Sequence, residues 1–327
     1  MLIYLARRLV LALVTCVAIS VLTFVIIRLP PGDFVDAYIA NLAVGGSTVS
    51  AEQAAAMRRE YGLDRPVVVQ YALWMGRVVQ GDFGVSMMWR RPVTEVIGDR
   101  LWLTMAVSFA ALLLTWIIAL PIGIYSAARQ YSIGDYVATT LGFIGLAVPN
   151  FLLALILMYL GFRYLGLSVG GLFSPDMAQA SWSLAKFWDL MLHLPLPACV
   201  LALAGTAQLI RIMRANLLDE LRKPYVVTAR AKGLPEWRIL TVHALRNALL
   251  PMITVAGLQL PTLLGGALVA ETVFTWPGMG RLFLDSIGYR DYPVVMGILM
   301  FSATIVLIGS LLADILYAVV DPRIRVG

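Results

Sequence analysis

The chain has 327 residues, of which 60 % are hydrophobic and 13 % charged; a soluble domain carries about 45–50 % and about 25 %. That composition excludes an ordinary water-soluble fold. The formal charge of +6 does not argue for nucleic acid, because the basic residues collect in short stretches between apolar blocks, where they set membrane orientation. Charge-free apolar blocks cover residues 9–27, 101–128, 136–162, 190–210, 248–270 and 293–313, and a helix needs roughly 20 such residues to cross a hydrocarbon core. The expected fold is all-α, a polytopic membrane protein with six transmembrane helices.

Residues 1–30 hold a short N-terminus with Arg7 and Arg8, then the first block. The block exceeds the usual signal-peptide core of about 7–15 residues. RLPPGD follows it where a small-residue cleavage site would belong, so an uncleaved first helix is expected. Residues 31–100 read as a helical extracytoplasmic segment, either a simple cap or a docking surface. Within it Gly45-Gly46 closes one piece, and Ser50 with Gln53 forms a capping-box pattern that opens a helix to about Tyr61. Pro66 starts a second helix, Gly81 to Gly84 make a turn, and Pro92 opens the helix that feeds span two.

Residues 101–320 form a five-helix core. Proline lies in four of its spans: Pro121, Pro149, Pro195 with Pro197, and Pro251 with Pro261, the last followed by Gly265-Gly266. Irregular backbone at depth lines a cavity or is covered by neighbours, and small residues also let helices pack closely; both readings stay open. Glu271 and Asp314, with uncharged Gln208 and Gln259, are the few polar groups in or beside these spans. A carrier working alone would show inverted repeats and midplane charges, and a channel a filter or charge ring; the sequence offers none of these. Walker A and H-E-x-x-H patterns do not occur. Cys16 and Cys199 read as small hydrophobes, His193 as an interfacial residue and His243 as one more polar residue on a cytoplasmic helix.

The segment 211–247 is basic and helix-forming, with Arg211, Arg214, Arg222, Lys223, Arg230, Lys232, Arg238 and Arg246. Together with Arg7, Arg8 and the tail at 321–327, it falls on one side of a six-span chain. Short basic loops stay in the cytoplasm, so both termini and this segment are expected there. Pro224 opens a short helix, Gly233 stops it in the left-handed conformation, and Pro235 starts a second helix toward Asn247. Small Thr228, Ala229 and Ala231 let a partner approach closely, while Arg230 and Lys232 add charge; contact with anionic lipid is the alternative.

YVVTARAKGLPEWRILTVHALRNALLP resembles the cytoplasmic EAA loop of binding-protein-dependent ABC transporter permeases, in the form of the dipeptide/oligopeptide/nickel subfamily. Val227-Thr228-Ala229 stand on the E-A-A and Leu245 on the loop's leucine, while His243 and Arg246 replace its isoleucine and proline. IIRLPPGD, with Phe34 where a proline is usual, resembles further subfamily motifs, as do GDFGVS, ETVFTWPGMG, RDYPVVMG and DPRIR. The resemblance spans nearly the whole chain. It implies the type I ABC importer permease fold, a second homologous permease, two cytoplasmic ATPases that use ATP and Mg, and an extracytoplasmic substrate-binding protein. It implies no cofactor, metal or enzyme activity on this chain, lipid around it, and no nucleic acid. Tyr225, Thr228, Ala229, Arg230, Ala231, Lys232 and Gly233 become the ATPase-coupling loop. Gln208, Gln259, Pro261, Thr262, Gly265 and Gly266 become the path. The cargo would be peptides, or nickel chelates, glutathione, opines or oligosaccharides.

This topology predicts that thiol labels introduced at Ser50 and Met279 react from outside and one at Lys232 only from inside. An inside label at Ser50 would require an odd span count and overturn the charge argument.

Overall fold

A computed structural model describes residues 2–29, 31–44, 48–60, 62–166, 170–252, 255 and 267–320. Among them the regular structure is helical, with one isolated bridge between Val85 and Pro92. The elements are α1 (Leu2–Ile26), α2 (Phe34–Val44), α3 (Ala51–Glu60), α4 (Val67–Val79), α5 (Val93–Ala128), α6 (Ile133–Ala147) and α7 (Asn150–Leu165). There follow α8 (Pro175–Ala178), α9 (Leu184–His193), α10 (Pro195–Leu221), α11 (Pro224–Ala231), α12 (Glu236–Arg238), a π-helical segment (Ile239–Ala244) and α13 (Leu245–Ala248). Residues 267–273 are helical, and α14 (Met279–Gly288) and α15 (Tyr292–Val320) complete the chain.

Four stretches are long and apolar enough to cross a membrane: Arg7–Ile26, Val93–Ala128, Leu184–Leu203 and Tyr292–Leu311. The third expected span is not one straight helix. It divides into α6 and α7, which pass the same test only together, as a sharply bent pair. The cause is Pro149: it lacks an N–H and pushes its predecessor out of the helical region. Val148 accordingly sits at φ −80°, ψ 123°, and Pro149 itself caps α7 at ψ 136°. Pro121, by contrast, lies inside α5 without ending it. The fifth expected span, 248–270, falls mostly outside the described residues.

The chain divides into two compact units. The first combines Met1–Leu103 with Gly278–Leu307; the second combines Thr104–Pro277 with Ile308–Gly327.

The expected local signals of the first unit are present. Gln53 N–H donates to Ser50 Oγ at 3.2 Å and Ser50 N–H to Gln53 Oε1 at 3.1 Å, so the capping box opens α3. Asp33 and Asp36 exchange the same reciprocal bonds at the start of α2, at 2.8 and 2.9 Å. Arg58 of α3 bridges the two carboxylates at 2.9 and 2.6 Å. Burial would raise the Asp33 carboxyl, but its hydrogen bond from the Asp36 backbone and the Arg58 guanidinium hold it below the usual range.

A fully buried carboxylate ties this unit together. Asp291 Oδ2 accepts from Ser86 Oγ at 2.6 Å and from Met88 N–H at 3.0 Å, and Oδ1 accepts from Met87 N–H at 3.3 Å. Its neighbours reach the other end of the segment: Arg290 Nη1 donates to Pro31 O at 2.7 Å, and Tyr292 O–H to Gly32 O at 3.1 Å. The LPPGD, GDFGVS and RDYP stretches therefore meet at the start of α15.

In the second unit α10 lies centrally. Leu209, Met213 and Leu217 are buried with Ala119 of α5 and with Val226, Ile239, Ala244 and Met252. Gly123 permits the approach of α5, since a Cβ there would lie 2.8 Å from Met213 Cβ. Asp135, the third residue of α6, is buried and holds Arg214 of α10 through Nε at 3.0 Å and Nη2 at 2.9 Å.

Asp291→Ala strands a buried hydroxyl and two backbone N–H groups, each costing about 1–3 kcal/mol. The variant is expected to lose thermal stability in detergent-solubilised form, and Asp291→Asn, which keeps one acceptor oxygen, is expected to lose less. Equal melting of wild type and Asp291→Ala would contradict the role assigned to this carboxylate.

Candidate functional site

The sequence 224–233 folds into a short, sharply delimited helix. Lys223 is extended at φ −70°, ψ 150°, and Pro224 occupies the first helical position, where its missing N–H costs nothing. At the other end Gly233 has φ +77°, as expected for a left-handed stop. Gly233 N–H donates to Arg230 O at 2.9 Å and Leu234 N–H to Ala229 O at 3.3 Å, the paired bonds of a Schellman end.

One face of α11 is seated and the other is free. Val226 and Ala229, one turn apart, are buried against α10, the π-helical segment and α13. Val227, Thr228, Arg230, Ala231, Lys232 and Gly233 are exposed. Tyr225 fastens the first turn: its hydroxyl donates to Glu220 Oε2 at 2.5 Å and accepts from Asn247 Nδ2 at 3.1 Å. Lys223 Nζ joins the same carboxylate at 2.5 Å. Partial burial would raise the Glu220 carboxyl, but the bonds from Lys223 and Tyr225 outweigh it and hold it low. The phenol of Tyr225 is pushed up by burial and by that carboxylate. The ridge α11 is thus held at its base by polar bonds and along one side by apolar packing.

One expectation needs correction. The segment from Pro235 to Asn247 is not a regular second helix, because residues 239–244 are π-helical and Leu245 N–H reaches back to Leu240 O. Arg230 is exposed and paired within the loop: its Nε lies 2.7 Å from Glu236 Oε1 and its Nη2 3.2 Å from Oε2. The pair is solvent-exposed and so adds little stability. Lys232 makes no ion pair among the described residues.

Of the expected path residues, the structure describes Gln208, which is exposed on α10 between buried Ala207 and Leu209. Gln259, Pro261, Thr262, Gly265 and Gly266 lie outside the described residues, as does the side chain of Asp314. Glu271 is buried, with Oε1 accepting from Thr104 Oγ1 at 2.5 Å. His193 is buried, its Nδ1 2.7 Å from Asp189 O. The Asp135–Arg214 pair is a feature that reading the sequence missed. Its signal was present, since Ser132 caps α6 and accepts from Asp135 N–H at 3.2 Å, a pattern of the capping-box type.

Comparison with known proteins gives the family. Residues 119–326 match the family described as binding-protein-dependent transport system inner membrane component, and residues 1–108 match its N-terminal family. The oligopeptide transport system permease protein AppB of Bacillus subtilis (strain 168) is 44 % identical over 98 % of this chain and 99 % of its own. The dipeptide transport system permease protein DppB of Escherichia coli (strain K12) is 38 % identical over 99 % of both chains. The glutathione transport system permease protein GsiC of Salmonella choleraesuis (strain SC-B67) is 37 % identical, again over 99 % of both. Among solved structures, the inward-facing MetNI methionine ABC transporter matches 72 % of this chain and 98 % of its own, with a TM-score of 0.54 at 19 % identity; that likeness is one of fold. The chain belongs to the family of binding-protein-dependent transport system inner membrane components, as a multi-pass permease subunit of an ABC importer and not an enzyme.

Proposed function

We propose that this chain forms half of a translocation path for peptides and transmits ATP-driven motion into it through α11. Its partners would be a second homologous permease, two cytoplasmic ATPase subunits that use ATP and Mg, and an extracytoplasmic binding protein that delivers cargo to the 31–100 segment. In this reading both termini and residues 211–247 face the cytoplasm, and the span completed by 248–270 brings the count to six, with Gln208, Gln259, Pro261, Thr262, Gly265 and Gly266 along the path.

The carrying observation is the two-sided character of α11. Its exposed face, with Thr228, Arg230, Ala231, Lys232 and Gly233, offers small or charged residues that a partner groove can cover. Its buried face, Val226 and Ala229, is packed into the core around α10. A push on the first face is therefore delivered to the second. Peptides are the favoured cargo because relatives that align over nearly the full chain bear oligopeptide and dipeptide names. The glutathione relative keeps a modified peptide within the same reading.

Gly233→Asp tests the coupling role. No atom lies within 4 Å of a Cβ built there, so the substitution does not clash within the chain. It costs about 1–2 kcal/mol of backbone strain and sets a carboxylate at a helix C-terminus, where the dipole disfavours it. The expected variant inserts and melts close to wild type but retains less ATPase on purification, or shows hydrolysis no longer stimulated by loaded binding protein. Normal ATPase retention with normal stimulation would return this loop to a lipid-facing role.

A further inference from the structure

The helix α4 belongs to the segment expected to lie outside the membrane, yet it is apolar on both sides. One face, with Tyr71, Trp74, Met75 and Val78, packs on Phe24 of α1 and on Met296 and Met300 of α15. The opposite face carries Val68, Val69, Ala72, Leu73 and Val79, all exposed; Val68 and Val79 are 78 % and 79 % accessible. A water-facing helix would place polar residues there.

Two independent contacts fix the depth of α4. Tyr71 O–H lies 2.9 Å from Ser20 Oγ, and Ser20 stands seven residues, or about 10 Å along a helix, inside the end of the apolar block at Ile27. Met300 stands eight residues, or about 12 Å, inside the start of α15 at Tyr292. Both spanning helices thus meet α4 below their own outer ends. The polar boundary is marked by Arg28, whose guanidinium lies over the Phe24 ring at 4.5 Å and donates to Gln70 at the start of α4.

We infer that the exposed face of α4 lies against lipid acyl chains of the leaflet on the side of the 31–100 segment, so that α4 is a membrane-embedded helix and not part of an aqueous docking domain. Charge placement favours lipid over a protein occupant. Arg65 just before the helix and Arg77 in its last turn are exposed and make no ion pair among the described residues. They flank the apolar face with a spacing of roughly 18 Å, suited to phosphate headgroups through long side chains that keep their charge at the interface. On α1, which packs against the other face of α4, Val21, Leu22 and Val25 are exposed and apolar in the same way. The inference rests on α1 and α15 spanning the membrane in an importer permease.

The test uses the assembled transporter in nanodiscs, with Cys16 and Cys199 replaced by alanine and one environment-sensitive thiol probe on Val68→Cys, Val79→Cys, Val14→Cys or Ser50→Cys. Phosphatidylcholine brominated near the headgroup end of its acyl chains should quench the probes at 68 and 79 as it quenches the α1 probe at 14. Aqueous iodide should quench only the probe at 50. Iodide quenching at 68 and 79 equal to that at 50 would overturn the inference. So would shielding from both quenchers with crosslinking to a partner subunit, which would show a protein occupant. If bromolipid fails at 14 as well, the spanning reading of α1 fails with it; quenching at 14 but not at 68 defeats the α4 inference alone.

Discussion

The carboxylate of Asp291 is fully buried and accepts three hydrogen bonds from residues 86–88. An unpaired carboxylate taken out of water costs several kcal/mol, so once this group is inside, the loop that satisfies it has one acceptable arrangement. That matters more here than in a soluble protein. Apolar helices in lipid gain nothing from hiding oily surface from one another, and their association depends on packing and on polar contacts. Asp291 supplies such a contact across more than 200 residues of sequence, with Arg290 and Tyr292 adding bonds to Pro31 and Gly32. The start of α15, the exit of α1 and the entry to α5 are registered by one short segment.

The second unit follows the same logic with different residues. Asp135 grips Arg214, and Glu220 is held by Lys223 and Tyr225. These polar anchors lie in the C-terminal third of α10, interleaved with the packed Leu209, Met213 and Leu217. Beside them α11 is held at its base and along one face, and its other face is open. Rigid seating is what a transmitting element requires, because a loop that yielded to its partner would absorb the motion. The π-helical segment at 239–244 packs against α11 through Ile239 and Ala244, and such looser backbone pairing recurs at functional sites.

What was legible in the sequence follows from which interactions are local. The Ser50–Gln53 cap, the turn at Gly81 to Gly84, the entry to α5 at Pro92 and the Gly233 stop each involve residues a few positions apart, and each is found where expected. Pro149 was readable as a proline within a span but not as its break, because Pro121 in α5 leaves its helix intact. The outcome depends on whether neighbouring groups satisfy the freed carbonyls, which local sequence does not state. The Arg230–Glu236 pair was not legible, because Glu236 lies beyond a glycine turn whose geometry brings the two side chains together. The RDYP stretch was visible through family resemblance alone, while the partner of its aspartate is set by tertiary packing. The π-helical segment left no recognisable trace.

On the proposed function, this permease depends on ATP hydrolysed by attached subunits. Uptake of a labelled oligopeptide into membrane vesicles loaded with ATP, with binding protein supplied outside, tests it most directly. Uptake is predicted to collapse with vanadate and to persist when an uncoupler dissipates the proton gradient. Uptake that survives vanadate and vanishes with the uncoupler would contradict the account and identify a carrier driven by ions.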